Sequence, residues 1–287
     1  MNKIKTLACV LTAVLVLSLG INFYYYNQSR SVSEQNSAAN TKLEMSRILT
    51  QVQLQVNTKL ENLDRSLKFA CARLSTTDLQ NSQARSILSE LSANNSLIVN
   101  AATCDARDVL LAVEPSQYRS IEGQDIANQE QNIQMHQTMQ PVMSTMILLV
   151  EGFYGVVMVA PIFNVNGTFV GSLSLVIQPS ELLKSAIAPA VEGTPYSMWA
   201  MQTNGTLLYD PDPVQQGKNL FTDPIYVNYP TVQAFTRHVA DEQAGYGTYE
   251  YHQDTVAGDL VSKEAYWATA GIYGAQWRLV ILNVLNA

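Results

Sequence analysis

The residues best suited to chemistry fall between 114 and 154, on a polar stretch and the strand it leads into: Tyr118, Arg119, Asp125, His136, Glu151 and Tyr154. Such types suit recognition of a small solute, which needs a few convergent polar groups on apolar walls. Arg119 is the strongest of the six for a carboxylate, because its guanidinium fork can bind both oxygens. Each of the six also has an ordinary reading, as a solvated loop residue or a member of an internal salt bridge. A second group, Tyr209, Tyr226, Tyr229, Tyr249, Tyr251 and Trp267, offers another aromatic pocket, or simply the core and strand faces of a small sheet.

Nothing in the spacing points to catalysis. His136, His238 and His252 are far apart, none stands in an HExxH pattern, and GxSxG, P-loop and GxGxxG motifs are missing. We therefore expect neither an enzyme nor a cofactor. Cys9, Cys71 and Cys104 lack the CxxC or Cys/His spacing that zinc needs, so no metal is expected. Cys71 and Cys104 are candidates for a disulfide in an oxidising compartment, or for two unrelated buried thiols. With 24 acids against 17 Lys and Arg, and no basic run beyond the N-terminus, nucleic acid is not an expected partner.

Residues 7–26 are predominantly Leu, Val and Ala, preceded by Lys3 and Lys5 and closed by Tyr24, Tyr25 and Tyr26. The length, about 30 Å as a helix, and the aromatic end predict a transmembrane helix, with a cytoplasmic tail at 1–6 and the bulk outside the cell membrane. A cleaved signal peptide, cut after Gly20, is the rival reading. Extracytoplasmic placement agrees with the Asn-x-Ser/Thr sequons at Asn27, Asn94, Asn166 and Asn204, which are candidate glycosylation sites.

From residue 33 to 74 there is no Pro or Gly, and Met45, Leu49, Val52, Val56, Leu60, Leu63, Leu67, Ala70 and Leu74 recur at spacings of three and four. This predicts one long helix that lines both following modules; a free-standing parallel coiled coil is the alternative, and either permits a homodimer. A second helix is expected over 78–91, capped by Thr77. Strands follow at 97–102 and 109–113, then a polar excursion at 114–140. A hairpin is expected at 154–163 and 168–177, turning at Asn166-Gly167. A short helix at 179–188 and a linker at 189–195 precede a second set: strands at 196–202 and 206–209, a Pro-rich loop at 210–217, a helix near 231–240, and strands at 245–251, 264–272 and 277–282. The fold class is α+β, one mixed unit built twice around an antiparallel sheet.

This order resembles the double Cache family, extracytoplasmic sensor modules with two PAS-like domains on a long N-terminal helix. The resemblance is carried by Pro161-Ile162-Phe163-Asn164-Val165-Asn166-Gly167-Thr168-Phe169-Val170-Gly171-Ser172-Leu173, and by Asn204-Gly205-Thr206-Leu207-Leu208-Tyr209-Asp210-Pro211-Asp212-Pro213 through Gly217-Lys218-Asn219. It implies a spine helix at 27–74, a membrane-distal unit at 75–188 that holds a small extracellular ligand, and a membrane-proximal unit at 189–287. The amino-acid-binding branch carries an Arg-x-Trp-Tyr run on the excursion and an Asp late in the strand after the hairpin. Here Ile133 to Ser144 has no Arg, Trp or Tyr, and Val176 stands in the Asp position. The expected solute is therefore a carboxylate or an apolar molecule rather than an α-amino acid. Family receptors usually continue into an output domain, whereas this chain stops at Ala287, so a separate signalling or transport partner is expected. A cell-surface structural or protein-interaction module on the same scaffold is the alternative reading.

Overall fold

In the computed structural model the described backbone covers residues 2–252 and 258–285, with side chains from residue 22 onward except Glu34. A single helix, α1 (Asn2–Leu74), opens the chain. It crosses the boundary between two units, Met1–Arg47 and Ile48–Ala287. The transmembrane expectation at 7–26 falls largely on residues whose side chains lie outside the description. Among the described residues no helix is long and apolar enough to cross a membrane.

All nine residues of the predicted stripe on α1, Met45 to Leu74, are buried. From Ile48 onward they pack inside the body formed by Ile48–Ala287, which rules out a free-standing coiled coil for that part; each buried Leu there contributes about 1.5–3 kcal/mol. Polar contacts fasten the same helix to the second sheet. Gln53 Nε2 donates to the Thr269 carbonyl at 2.7 Å, and the Gly271 amide donates to Asn57 Oδ1 at 3.1 Å. The Tyr273 hydroxyl donates to Asp64, and the Lys68 ammonium lies 5.8 Å from the Tyr273 ring centre.

Helix α2 (Ser82–Asn94) starts later than expected, because Asn81 rather than Thr77 caps it, accepting the Ala84 amide through its side chain. Arg73 on α1 pairs with Glu90 on α2. The first sheet then contains β1 (Ile98–Asp105) and β2 (Leu110–Glu114). A 3₁₀ turn (Ser116–Ile121) and α3 (Glu130–Thr138) form the excursion. Two two-residue strands, β3 (Val142–Met143) and β4 (Ile147–Leu148), precede the hairpin of β5 (Tyr154–Phe163) and β6 (Phe169–Ile177). Gly167, at φ 77°, supplies the left-handed residue of that turn. The strand order is β2-β1-β6-β5-β3, with β4 also on β5, and every pairing is antiparallel.

Helix α4 (Pro179–Val191) leads to the second sheet: β7 (Ser197–Gln202), β8 (Leu207–Tyr209), β9 (Gly245–His252), β10 (Leu260–Ala270) and β11 (Trp277–Val284). Its order, β8-β7-β11-β10-β9, repeats that of the first sheet. The loop between β8 and β9 carries 3₁₀ turns at Pro213–Gln215 and Pro224–Tyr226, and α5 (Pro230–Asp241). The long helix with two like-ordered antiparallel sheets is the architecture expected of a double Cache fold.

The disulfide considered between Cys71 and Cys104 is not formed; both thiols are free. Strand alternation explains this. Thr103 faces the helices, its hydroxyl donating to the Leu79 carbonyl, so Cys104 turns to the opposite side of the sheet, among Leu110, Val113, Ile121 and Ile126. Burial pushes both thiols up to about 12, which leaves them protonated and poorly reactive.

Candidate functional site

The two sheets enclose very different spaces. On the first, the ligand position implied by the resemblance is a void of about 20 Å³, sized for one water. Leu110, Ile121, Ile126, Leu149, Val157 and Val176 fill its surroundings. Val176, which stands where an ammonium-binding Asp was expected, lies on this wall, so no carboxylate is offered there from β6. Its polar members are Asn100, Gln129, Glu151 and Ser174. Asn100 Nδ2 donates to Glu151 Oε1 at 2.7 Å, so the Glu151 charge is already engaged.

Of the six residues singled out between 114 and 154, Glu151 borders this void. Tyr118 packs on the adjoining cluster, its ring 6.4 Å from that of Phe153. Arg119 is exposed and donates through Nε to Glu114 at 3.0 Å, so its fork serves an internal ion pair. Asp125 is exposed and accepts the Ala127 amide, while Tyr154 is exposed on β5. His136 binds a different partner, with Nε2 2.7 Å from Asp108 Oδ2 and its ring edge-on to Phe169. Burial lifts the Asp108 carboxyl above the usual carboxylate range, against the opposing pull of His136. These six side chains are thus spread over separate settings. The sequons at Asn94, Asn166 and Asn204 are exposed, and Asn27 lies exposed on α1.

The second sheet carries an open cleft of about 900 Å³, the size of an ordinary small-molecule site. Its floor comes from strand alternation on β9, where Gly245, Gly247, Tyr249 and Tyr251 share the inward face. A Cβ at 245 would lie 2.3 Å from the Trp267 ring, and one at 247 would lie 3.2 Å from Phe235. The two glycines therefore let the large rings settle low, and the tyrosines further along line the cleft. Trp199 on β7 and Leu282 on β11 complete the floor, and Lys263, opposite Tyr249 on β10, stands at its edge.

The roof is α5 and the loop before it. Val232, Phe235 and Thr236 face the cleft from the helix, and Tyr226 and Tyr229 from the approach to it. Arg278 holds the far end of α5, donating through Nε to the Val239 carbonyl at 3.0 Å and through Nη2 to the Ala240 carbonyl at 2.9 Å. A buried cation at a helix C-terminus satisfies the last carbonyls and complements the dipole. Trp267 Nε1 donates to the Glu242 carbonyl, which binds the same end to β10.

The rings form a continuous series. Phe235 stacks on Tyr249 at 4.5 Å, Tyr249 lies along Tyr251 at 6.2 Å, and Tyr229 meets Tyr251 edge-on at 6.4 Å. The Lys263 ammonium sits 5.0 Å from the Tyr251 ring centre. On the loop side Asp210 and Asp212 line the wall with Gln215, which accepts the Tyr226 hydroxyl at 2.8 Å. Burial, reinforced by the charge of Asp212, raises the Asp210 carboxyl, while the Asp212 amide and Lys263 pull it back. Burial raises the Tyr249 and Tyr226 hydroxyls too, so both stay neutral. Of the aromatic group read from the sequence, Tyr226, Tyr229, Tyr249 and Tyr251 line this cleft. Tyr209 faces the other side of the sheet beside Ile187 and Pro211, and Trp267 lies beneath the floor. The two aspartates and Lys263 were not singled out. Asp210-Pro211-Asp212 stood within the quoted loop, but its facing direction depends on the fold.

Residues 58–179 match the family model "HK/GC/Chemotaxis protein-like, sensor domain". An extracellular ligand binding receptor from Desulfohalobium retbaense is similar at 33% identity and a TM-score of 0.71, over 83% of this chain and 40% of that one. The chain thus spans well under half of that receptor. The ligand-binding domain of the Pseudomonas aeruginosa amino-acid chemoreceptor PctC, in complex with GABA, is 15% identical with a TM-score of 0.63, covering 85% of this chain and 99% of its own. That of the Pseudomonas fluorescens chemoreceptor CtaA, in complex with L-isoleucine, is 12% identical with a TM-score of 0.59, covering 88% and 96%. No curated protein matches in sequence. The chain has the fold of these chemoreceptor ligand-binding domains, the double Cache architecture that the resemblance implied, and residues 58–179 of it match a sensor-domain model.

Proposed function

We propose that this chain is a membrane-anchored extracytoplasmic sensor that binds a small solute in the cleft of its second sheet and passes occupancy along α1. The observation that carries the reading is the 900 Å³ cleft, whose aromatic floor and polar wall converge while the first sheet's void holds about 20 Å³. Solute sites are concave and set placed polar groups on apolar walls, and the cleft combines aromatic and aliphatic walls with such groups. In this reading residues 7–26 span the membrane with the N-terminus cytoplasmic, 75–188 is the outer unit and 189–287 the inner one. Glu151 and its neighbours would serve a second, smaller site only after the first sheet's centre opened.

The route from cleft to helix runs through β10. Lys263 stands at the cleft, and further along the same strand the Thr269 carbonyl accepts from Gln53 of α1. Thr269 Oγ1 also accepts from Arg278 Nη1 at 2.7 Å, and Arg278 holds the C-terminal end of α5. A ligand that closes α5 onto the floor acts on the group that contacts α1. Coupling needs differential contact with two arrangements of such an element, and α5 is the element in contact with both ligand and clamp.

The test is a melting-temperature screen of the purified full chain against amines, amino acids, carboxylates and purines. A ligand at a hundred times its dissociation constant adds about 2.7 kcal/mol. A shift seen in the native chain and lost in Tyr249→Ala supports the cleft as the site. No shift from any class, with the protein folded, defeats this reading in favour of a scaffold or protein-interaction module.

A further inference from the structure

The charges and rings lining the cleft select among solute classes. Asp210 and Asp212 give two negative groups on one wall, and among the described residues neither forms an ion pair with a protein cation. Asp210 is half-buried, with Oδ1 accepting only the Asp212 amide at 2.9 Å. A carboxylate withdrawn from water is stabilised by a counter-charge. Tyr229, Tyr249 and Tyr251 line the same cleft, and it is the negative face of such a ring, not its edge, that attracts a cation. The protein already shows this preference, because the one lysine of the cleft lies over the Tyr251 ring rather than on either aspartate.

Other classes fit less well. An anion would meet two carboxylates, and the single ammonium that could receive it is held on Tyr251. A zwitterion requires Lys263 to leave that ring. A neutral apolar solute would leave Asp210 further desolvated without a partner. Resting on the reading of the cleft as a solute site, we propose that its ligand is a small organic cation, an alkyl- or methylated ammonium, seated between the Tyr249–Tyr251 faces and the Asp210–Asp212 wall. Lys263 then acts as a built-in competitor, occupying one ring face and repelling the incoming charge.

Titration calorimetry on the full chain with four probes of one chain length, butylammonium, butyrate, 4-aminobutyrate and butanol, together with tetramethylammonium, tests the assignment. Butylammonium or tetramethylammonium is expected to bind best. Asp210→Asn should weaken it by about tenfold. Tyr249→Phe, which keeps the ring face, should change little, while Tyr249→Leu should lose about two- to fivefold or more. Lys263→Met should tighten the cation by about two- to fivefold. Binding of butyrate or 4-aminobutyrate alone, lost in Lys263→Met, overturns the cation class and keeps the cleft as a solute site. Cation binding that ignores Asp210→Asn and Tyr249→Leu alike overturns both the class and the location. No binding of any probe to the folded chain overturns the cation proposal, and the broader screen above then decides whether the cleft binds solutes of another class.

Discussion

The two sheets share one strand order, yet one has a closed centre and the other an open cleft. The difference lies in what each connecting segment sends inward. In the first unit the segment before β5 folds Leu149 onto Val157 and Val176, with Ile147 and Phe153 packed around them, and aliphatic groups close the space. In the second, the segment before β9 presents tyrosines and aspartates, and α5 is held at its C-terminal end by Arg278, so the same space stays open. A repeated backbone therefore does not repeat a site; loop and inward-facing side chains decide which copy can take a ligand.

The largest break in this comparison should come from Trp267→Ala. The ring is wholly buried beneath the cleft floor, and its loss should cost about 3–5 kcal/mol, read as a lower urea midpoint with the cleft's ligand response reduced. Leu149→Ala should cost about 2–5 kcal/mol and make the first unit more like the second, with an enlarged void visible in a crystal structure of the variant. If that void collapses instead, the closure of the first unit does not depend on this plug. Gly245→Ala should cost about 1–3 kcal/mol in urea denaturation, since the new methyl meets the Trp267 ring and lifts the floor.

The smallest effect concerns Asp210 and pH. Its folded value lies above the unfolded one, so its contribution to stability is fully present below about pH 4 and is lost as pH rises through the raised folded value. Asp210→Asn should flatten that part of the stability profile and leave the neutral-pH melting temperature equal or slightly higher. A steeper profile in the variant would show that the carboxylate is well accommodated.

The order of elements was readable because it rests on local pattern. The spine stripe, the Asn166-Gly167 turn and the strand at 245–251 each follow from residue spacing and turn geometry, and the structure has them where they were expected. Short pairings were not readable: β3 and β4 are two residues each and exist because β5 is there to receive them. The start of α2 differs from the expectation because Thr77 and Asn81 are both adequate cap types, and Asn81 is the one that accepts the Ala84 amide. Arg119 looked free to take a carboxylate, but Glu114, five residues away, already holds it across the turn.

What the sequence by itself determined is the class: two antiparallel sheets in series behind a long helix. Periodicity and turn chemistry act over a few residues, so they survive without knowledge of the fold. The tertiary structure alone decided which unit is open, that Cys104 turns away from α1, and that Asp210, Lys263 and four tyrosines from separate segments face one cleft. Those are facts about the directions of side chains far apart in the chain, which only the packing of the sheet, α5 and the loop between them can set.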